Sequence, residues 1–329
     1  GRPWGIAFLP DGQILISERE GDLRLVKNGK MVDDPVSNVP GVYARGQGGL
    51  LDVHLHPDYE ENGWIYLSYS YREGGGANTA LMRARLKDGA LVDNEVIFKG
   101  TPRSRGSIHF GSRIAFDRDG YLYFTIGERG NMHNAQKLSN HAGKLHRIMD
   151  DGSIPEDNPF VNRQGAKSSI FTYGNRNQQG LTMNPWTGDI WSHEHGPKGG
   201  DEVNIARKGE NYGWPEITFG IDYDGSIISD DTAKAGMMQP VHYWDPSIAP
   251  SGMDFVNTER FPGWEGDLLV GSLKFGYVAR CVVENDDITR EYKMLEGLGR
   301  VRDVKVGPDG LIYVLVAAPS KVIRLLPSE

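Results

Sequence analysis

Along this chain, short runs of Ile, Leu, Val, Tyr and Trp alternate with polar turns, a strand-type pattern in which helical periodicity is scarce. One unit recurs, a turn built on Pro, Asp, Asn or Gly followed by an apolar run. It appears at Pro10-Asp11-Gly12 before Ile14-Leu15-Ile16, at Pro57-Asp58 before Trp64-Ile65-Tyr66-Leu67, and at Asp117-Arg118-Asp119-Gly120 before Tyr121-Leu122-Tyr123-Phe124. Three more copies lie at Asn184-Pro185 before Ile190-Trp191, at Pro262-Gly263-Trp264 before Leu268-Leu269-Val270, and at Pro308-Asp309-Gly310 before Leu311-Ile312-Tyr313-Val314-Leu315. Six copies in 329 residues give a period of about 55, close to propeller blades with loop insertions. Apolar runs such as Ile6-Ala7-Phe8 and Ile114-Ala115-Phe116 precede the turns, and third strands follow at 23–26 and 80–84.

A meander of this kind cannot bury its own faces; neighbouring copies must cover it, and closing the ring protects the edges. The pattern therefore predicts an all-β fold, a six-bladed β-propeller forming one domain over 1–329. An open sandwich array is the alternative, disfavoured by the even spread of the repeat. The segment 134–138 predicts a short turn at most, and 72–78 and 219–236 predict exposed loops.

Composition sharpens this picture. Forty-three glycines and 18 prolines without a collagen period suit many tight turns. No apolar run approaches the roughly 20 residues a membrane helix needs, so no membrane insertion is expected. The net charge of −8 and the lack of a basic stripe argue against nucleic acid as a partner. The single cysteine, Cys281, allows no internal disulfide and is expected as a half-buried strand residue. The first residues already have strand character with no basic-then-apolar leader, leaving a cytoplasmic protein or a removed signal.

Propellers carry function at one end of the channel, on loops from several blades. Five loops here are too polar and glycine-rich for plain turns. The first, Gly46-Gln47-Gly48-Gly49-Leu50-Leu51, lets backbone approach a flat ligand and offers the Gln47 amide, although a plain loop is equally compatible. The second carries His109, with Glu128 ending the following strand. A His with a carboxylate partner is a general-base arrangement; a hydrogen-bonded His in the channel wall is the alternative.

The third, Gly174-Asn175-Arg176-Asn177-Gln178-Gln179-Gly180, groups amides around an arginine and suits a ligand with carbonyl or carboxylate oxygens, or a turn network. The fourth runs from His193 to Glu202 and is followed by Asn211-Tyr212-Gly213-Trp214-Pro215. The His pairs 193/195 and 54/56 lack the helical spacing and the cysteine support of a zinc site. An oxygen-rich loop suits Ca²⁺ better, and Asp150-Asp151-Gly152-Ser153 has no EF-hand spacing. The fifth joins Lys274 to Arg300-Val301-Arg302, whose two arginines share a strand face. Such cations repel one another unless an anion sits among them; a solvated face is the alternative.

In this order, the loops resemble those of the soluble pyrroloquinoline quinone (PQQ)-dependent glucose and aldose sugar dehydrogenases, the glucose/sorbosone dehydrogenase family. The resemblance covers essentially the whole chain. It adds Glu194-His195-Gly196-Pro197, Asp201-Glu202-Val203-Asn204 and Arg300-Val301-Arg302-Asp303-Val304 to the motifs above. It implies oxidation of an aldose at C1 to the lactone by hydride transfer to PQQ, with His109 as general base oriented by Glu128. Gln47, Arg176 and Asn177 match cofactor-contacting positions, Arg176 also stabilising charge on the quinone oxygen. Lys274, Arg300 and Arg302 match residues holding the PQQ carboxylates. The carbonyls of Gly196 and Pro197 match ligands of the catalytic Ca²⁺, and Glu202 with the Tyr212 carbonyl match a second, structural Ca²⁺ site.

The family further implies an external electron acceptor, a periplasmic or secreted location, and a monomer or weak dimer. Ile108 replaces the acidic residue that precedes the His in the glucose enzymes, and the stretch after Glu128 lacks their long insertion. Both features resemble the compact, broad-specificity aldose branch. A Ca²⁺-dependent propeller lactonase or hydrolase and a non-catalytic propeller binding module are the competing readings.

Overall fold

The computed structural model describes residues 1–327. Each repeat copy seen in the sequence is the second strand of a small antiparallel sheet, and there are six such sheets arranged as the blades of a propeller. Blade 1 comprises Pro3–Phe8, Ile14–Glu18, Leu23–Lys27 and Lys30–Met31. Blade 2 is Leu50–Leu55, Trp64–Glu73, Gly76–Lys87 and Ala90–Lys99; blade 3 is Ile114–Phe116, Leu122–Ile126, Lys144–Ile148 and Ile170–Tyr173. Blade 4 is Gln178–Met183, Ile190–Glu194, Asp201–Ile205 and His242–Trp244, and blade 5 is Pro250–Phe255, Leu268–Ser272, Val278–Glu284 and Asp287–Met294. Blade 6 has three strands, Val301–Val306, Ile312–Ala317 and Ser320–Leu325.

The first strand of every blade lines the channel, and these inner strands contact one another in sequence, the sixth returning to the first. Ring closure is thus a property of the inner strands. The apolar core is divided among the gaps between blades. Leu15, Leu25, Ile65 and Met82 pack blade 1 on blade 2, Trp191, Phe255 and Leu268 pack blade 4 on blade 5, and Ile6, Leu269 and Val314 join blades 5, 6 and 1.

Two expectations are corrected. Of the predicted loop 72–78, only 72–75 is exposed; Gly74-Gly75 is a hairpin turn, and Ala77 and Asn78 are buried in the next strand. Glycine-rich composition here marked a turn inside a long hairpin. Cys281 is a strand residue as expected but fully buried, packed between blades 4 and 5. The turn near 134–138 follows a short 3₁₀ segment, Met132–Asn134, and 221–236 is largely exposed.

Five of the inner strands share one irregularity. Their pairing with the second strand shifts between Pro3 and Gly5, Leu50 and Val53, Gln178 and Gly180, Pro250 and Met253, and Val301 and Asp303. All five shifts lie at the start of the inner strand, at the same mouth of the channel. Such bulges bend a strand and re-aim its side chains. They set this mouth apart as the place where side chains leave the sheet.

Candidate active site

At that mouth the five loops predicted from sequence converge. Gln47 N–H donates to the Ser107 carbonyl at 2.8 Å, and the His109 N–H donates to Gln47 Oε1 at 2.7 Å. Gly46 makes this approach possible: its φ is 61°, and a Cβ there would lie 2.3 Å from the Ser107 carbonyl oxygen. Gly111 N–H donates to Asn177 Oδ1 at 3.1 Å, and Gln179 Nε2 donates to the Gly111 carbonyl at 3.0 Å. Glu128 N–H donates to the Arg176 carbonyl at 2.8 Å. Blades 2, 3 and 4 are therefore stitched around one point.

His109 Nδ1 lies 2.5 Å from Glu128 Oε1, both residues being buried. The carboxylate accepts, so Nδ1 carries the proton and Nε2 is left with its lone pair. Burial holds the His109 pKa below the ordinary histidine value; Glu128 opposes that shift, while Arg176 and Arg129 add to it. The imidazole is thus neutral at neutral pH and able to accept a proton. Glu128 Oε2 is buried and has no hydrogen-bond partner among the described residues, leaving the carboxylate free to respond when the ring is charged.

Arg129 was missed in the sequence. It donates to the Ile108 carbonyl, donates to the Gly106 carbonyl at 2.8 Å, and lies 3.5 Å over the Phe110 ring. Its guanidinium clamps the loop carrying His109. Burial lowers its pKa to about 10, which still leaves it charged. Adjacency to Glu128 was its only sequence signal.

Beside the dyad is a cavity of about 240 Å³ with Gln47, Asn177, Arg300 and Arg302 in its wall, together with Trp4 and Arg19. Burial, aided by Arg113, Arg300 and Arg19, lowers the Arg302 pKa to about 9. Arg302 donates to Gln179 Oε1 at 3.1 Å and Arg300 to the Leu273 carbonyl at 3.3 Å. Among the described residues none of the cavity's three arginines has a carboxylate within 4.0 Å. Arg19 is a second residue the sequence did not signal, reaching the wall from the end of the second strand of blade 1. Lys274 is exposed at the rim, its ammonium 5.0 Å over the Phe275 ring, outside the cavity wall.

The fourth loop lies behind Arg176, which donates to the His195 carbonyl at 3.1 Å and the Gly196 carbonyl at 2.9 Å. The Pro197 carbonyl takes no protein donor among the described residues and is the freer oxygen of the pair. Glu194 and Glu202 face each other across paired strands and line, with Tyr212, a cavity of about 10 Å³, room for roughly one water or ion. Asn175 Nδ2 donates to Glu194 at 2.9 Å. Burial and the charge of Glu194 push the Glu202 carboxyl up to about 8, and burial pushes Glu194 up to about 7. Two buried carboxylates with raised pKa values, one of them raised in part by the other, around an ion-sized space fit a hard cation with oxygen ligands.

Fold and site define a propeller whose loops bring a buried His–Glu pair and an arginine-lined cavity to one channel mouth. More narrowly, the chain belongs to the glucose/sorbosone dehydrogenase family, whose model matches residues 1–324, and it is a sugar dehydrogenase of that family. It is 46% identical over 333 residues to aldose sugar dehydrogenase YliI of Escherichia coli K12, covering 99% of this chain and 90% of that protein. A crystal structure of a glucose dehydrogenase superposes with a TM-score of 0.96 at 42% identity, covering 99% of this chain and 97% of that one. The PQQ-bound form of an aldose sugar dehydrogenase from Streptomyces coelicolor gives 0.80 at 29% identity, with 96% and 88% covered.

Proposed function

We propose that the protein oxidises aldose sugars at C1 to the lactone, using PQQ held at the cationic mouth and Ca²⁺ at the fourth loop. The observation that carries this reading is the buried His109–Glu128 dyad, followed directly in the chain by Phe110 and Gly111 in the wall of a cavity whose three arginines have, among the described residues, no carboxylate within 4.0 Å. A multiply charged anion is the occupant such a cavity selects, and PQQ is a tricarboxylate. The PQQ-bound Streptomyces coelicolor relative supports the same cofactor.

His109 Nε2 takes the proton of the sugar C1 hydroxyl, while Glu128 holds the ring in that tautomer and stabilises the imidazolium. When bound, PQQ supplies the acceptor for the C1 hydride and Ca²⁺ polarises it as a Lewis acid. Gln47 and Asn177 fix the loops on either side of the base. Arg176, held at the Gly196 carbonyl, would stabilise negative charge developing on the quinone oxygen. Arg300 and Arg302, with Arg19, neutralise the carboxylates inside the cavity, and Lys274 does so from the rim. Gly196 and Pro197 offer carbonyl oxygens to the catalytic ion; Glu202, Glu194 and the Tyr212 carbonyl suit the structural one.

An external acceptor then reoxidises the enzyme, in a periplasmic or secreted setting, as a monomer or weak dimer. The lactonase reading needs a carboxylate-rich metal centre in the channel. Among the described residues no group of three or more His, Cys, Asp or Glu side chains is arranged to hold a metal, which favours the dehydrogenase. A non-catalytic module leaves the buried dyad without a purpose.

The test is reconstitution of purified protein with PQQ and Ca²⁺. Dye-linked oxidation of glucose or xylose should require both additions, and absence of PQQ binding by calorimetry overturns the reading. His109→Ala should lower kcat by about 10²–10⁴ while leaving PQQ affinity close to that of the wild type.

A further inference from the structure

The channel has a second mouth. A cavity of about 390 Å³ opens there, larger than the one at the catalytic mouth. Its wall includes the far ends of all six inner strands, from Phe8 in blade 1 to Val306 in blade 6. The two cavities are separated by Arg113, which donates to Asp52 at 3.1 Å and Asp303 at 3.0 Å across the channel, all three side chains being buried. No residue of the catalytic mouth is shared.

The size and the apolar character of much of this wall are those of a small-molecule site, in which a few polar groups fix orientation. The titratable groups in it are Lys305, Asp254 and His54, each from a different blade. Asp254 is internally satisfied: Oδ2 accepts from Val306 N at 2.9 Å, and Oδ1 accepts from Phe255 N at 3.1 Å and Thr182 Oγ1 at 3.2 Å. Lys305 has one long bond, to the Met253 carbonyl at 3.4 Å, and no carboxylate within 4.0 Å among the described residues. Its ammonium thus has donors to spare. His54 Nδ1 lies 2.6 Å from the Leu55 carbonyl and donates to it, leaving Nε2 as an acceptor. Burial and Lys305 hold this ring neutral, lowering its pKa to about 4.

One spare cation, one spare acceptor and a largely aliphatic and aromatic wall, in which Thr182 is bonded to Asp254 and Asn257 stands exposed, describe a complementary ligand. We propose that the far mouth binds a small aliphatic hydroxy-monocarboxylate, its carboxylate on Lys305 and its hydroxyl donating to His54. A polyhydroxylated sugar would leave most of its hydroxyls unpaired against the apolar wall. An amine is repelled by Lys305, and a dianion meets only one spare cation beside Asp254. The site is independent of the sugar-oxidising reaction and stands or falls separately from it.

Titration of the PQQ- and Ca²⁺-supplemented protein with 3-hydroxyhexanoate, followed by ligand-observed NMR and calorimetry, tests the site. Saturable one-to-one binding is expected. It should weaken about tenfold in Lys305→Met, the loss of one charge-assisted hydrogen bond, and similarly for hexane-1,3-diol, which lacks the carboxylate. Hexanoate, lacking the hydroxyl, and the variant His54→Phe should each weaken it by a smaller factor. Lys274→Met, at the other mouth, should leave binding unchanged. Thermal unfolding of Lys305→Met and His54→Phe within a degree or so of wild type keeps the comparison fair; were either variant to unfold, the diol and hexanoate arms alone decide. No saturable binding up to about 10 mM, or binding lost in Lys274→Met and kept in Lys305→Met, overturns the proposal.

Discussion

His109 occupies φ 55°, and Ser112 and Arg129 nearby have φ 86° and 64°. Left-handed backbone at residues with a Cβ costs on the order of 1–3 kcal/mol each and persists only where the surroundings enforce it. Here the Arg129 clamp and the Gln47 and Asn177 amides enforce it, aiming the imidazole at Glu128. Because Glu128 raises the basicity of a ring that burial otherwise lowers, Glu128→Gln should move the acidic limb of the kcat/KM–pH profile further down. It should also lower kcat by about 10²; an unmoved limb would show that the carboxylate does not tune the base. Glu194 and Glu202 make the opposite kind of prediction. Their folded pKa values, about 7 and about 8, lie above the unfolded carboxylate value near 4.5. The stability they contribute is full below that value and is lost as pH rises through 7 to 8. Protein freed of Ca²⁺ should therefore melt at progressively lower temperature between about pH 5 and pH 8, and Ca²⁺ should restore the loss most strongly at the alkaline end, as a thermal-shift series would show.

The inner strands and one long loop decide where these residues stand. Bulges at the mouth end of five inner strands turn regular ladders into a rim of outward-aimed side chains, and Arg302 is the unpaired residue inside one of them. The segment between Glu128 and Lys144 shows how a loop can be held without a core of its own. Lys144 is fully buried, and its ammonium donates to the Asn134, Lys137 and Ala142 carbonyls at 2.6, 2.8 and 2.7 Å and to Asn140 Oδ1 at 3.3 Å. It acts as a tethered ammonium inside a ring of oxygens, its pKa lowered to about 7 by burial and by Lys137. Asn134 in turn donates to the Glu128 carbonyl at 3.0 Å, so the ring backs the residue that pairs with His109. Lys144→Met takes a three-donor ammonium from four buried or part-buried oxygens and should cost about 2–4 kcal/mol in denaturant unfolding. It should also lower kcat more than it changes KM. This device was illegible in the sequence, where 134–138 is an ordinary polar stretch and Lys144 opens a short strand that also carries His146 and Arg147, so nothing marks the lysine as buried.

Across the whole molecule, Arg113 connects what the repeat only juxtaposes. Rooted beside blade 3, it pairs with Asp52 of blade 2 and Asp303 of blade 6, donates to the Gln179 carbonyl of blade 4 at 2.8 Å, and lies 4.2 Å over Trp4 of blade 1. Arg113→Met strands two buried carboxylates and should destabilise the protein by about 3–5 kcal/mol; a melting temperature unchanged from wild type would show that the ring closes without it. The number of blades, the second strand of each and the polar loops of the active mouth were all legible in the sequence, because strand alternation and turn chemistry are local and repeat along the chain. Which loops meet was not legible from local pattern, and neither were Arg19, Arg113, Arg129 or the far cavity. Arg129 depends on the loop 106–110 folding back over it within blade 3; the others depend on contacts between blades distant in sequence, made only when the ring closes and burial forces each charged group to find a partner or to wait for a ligand.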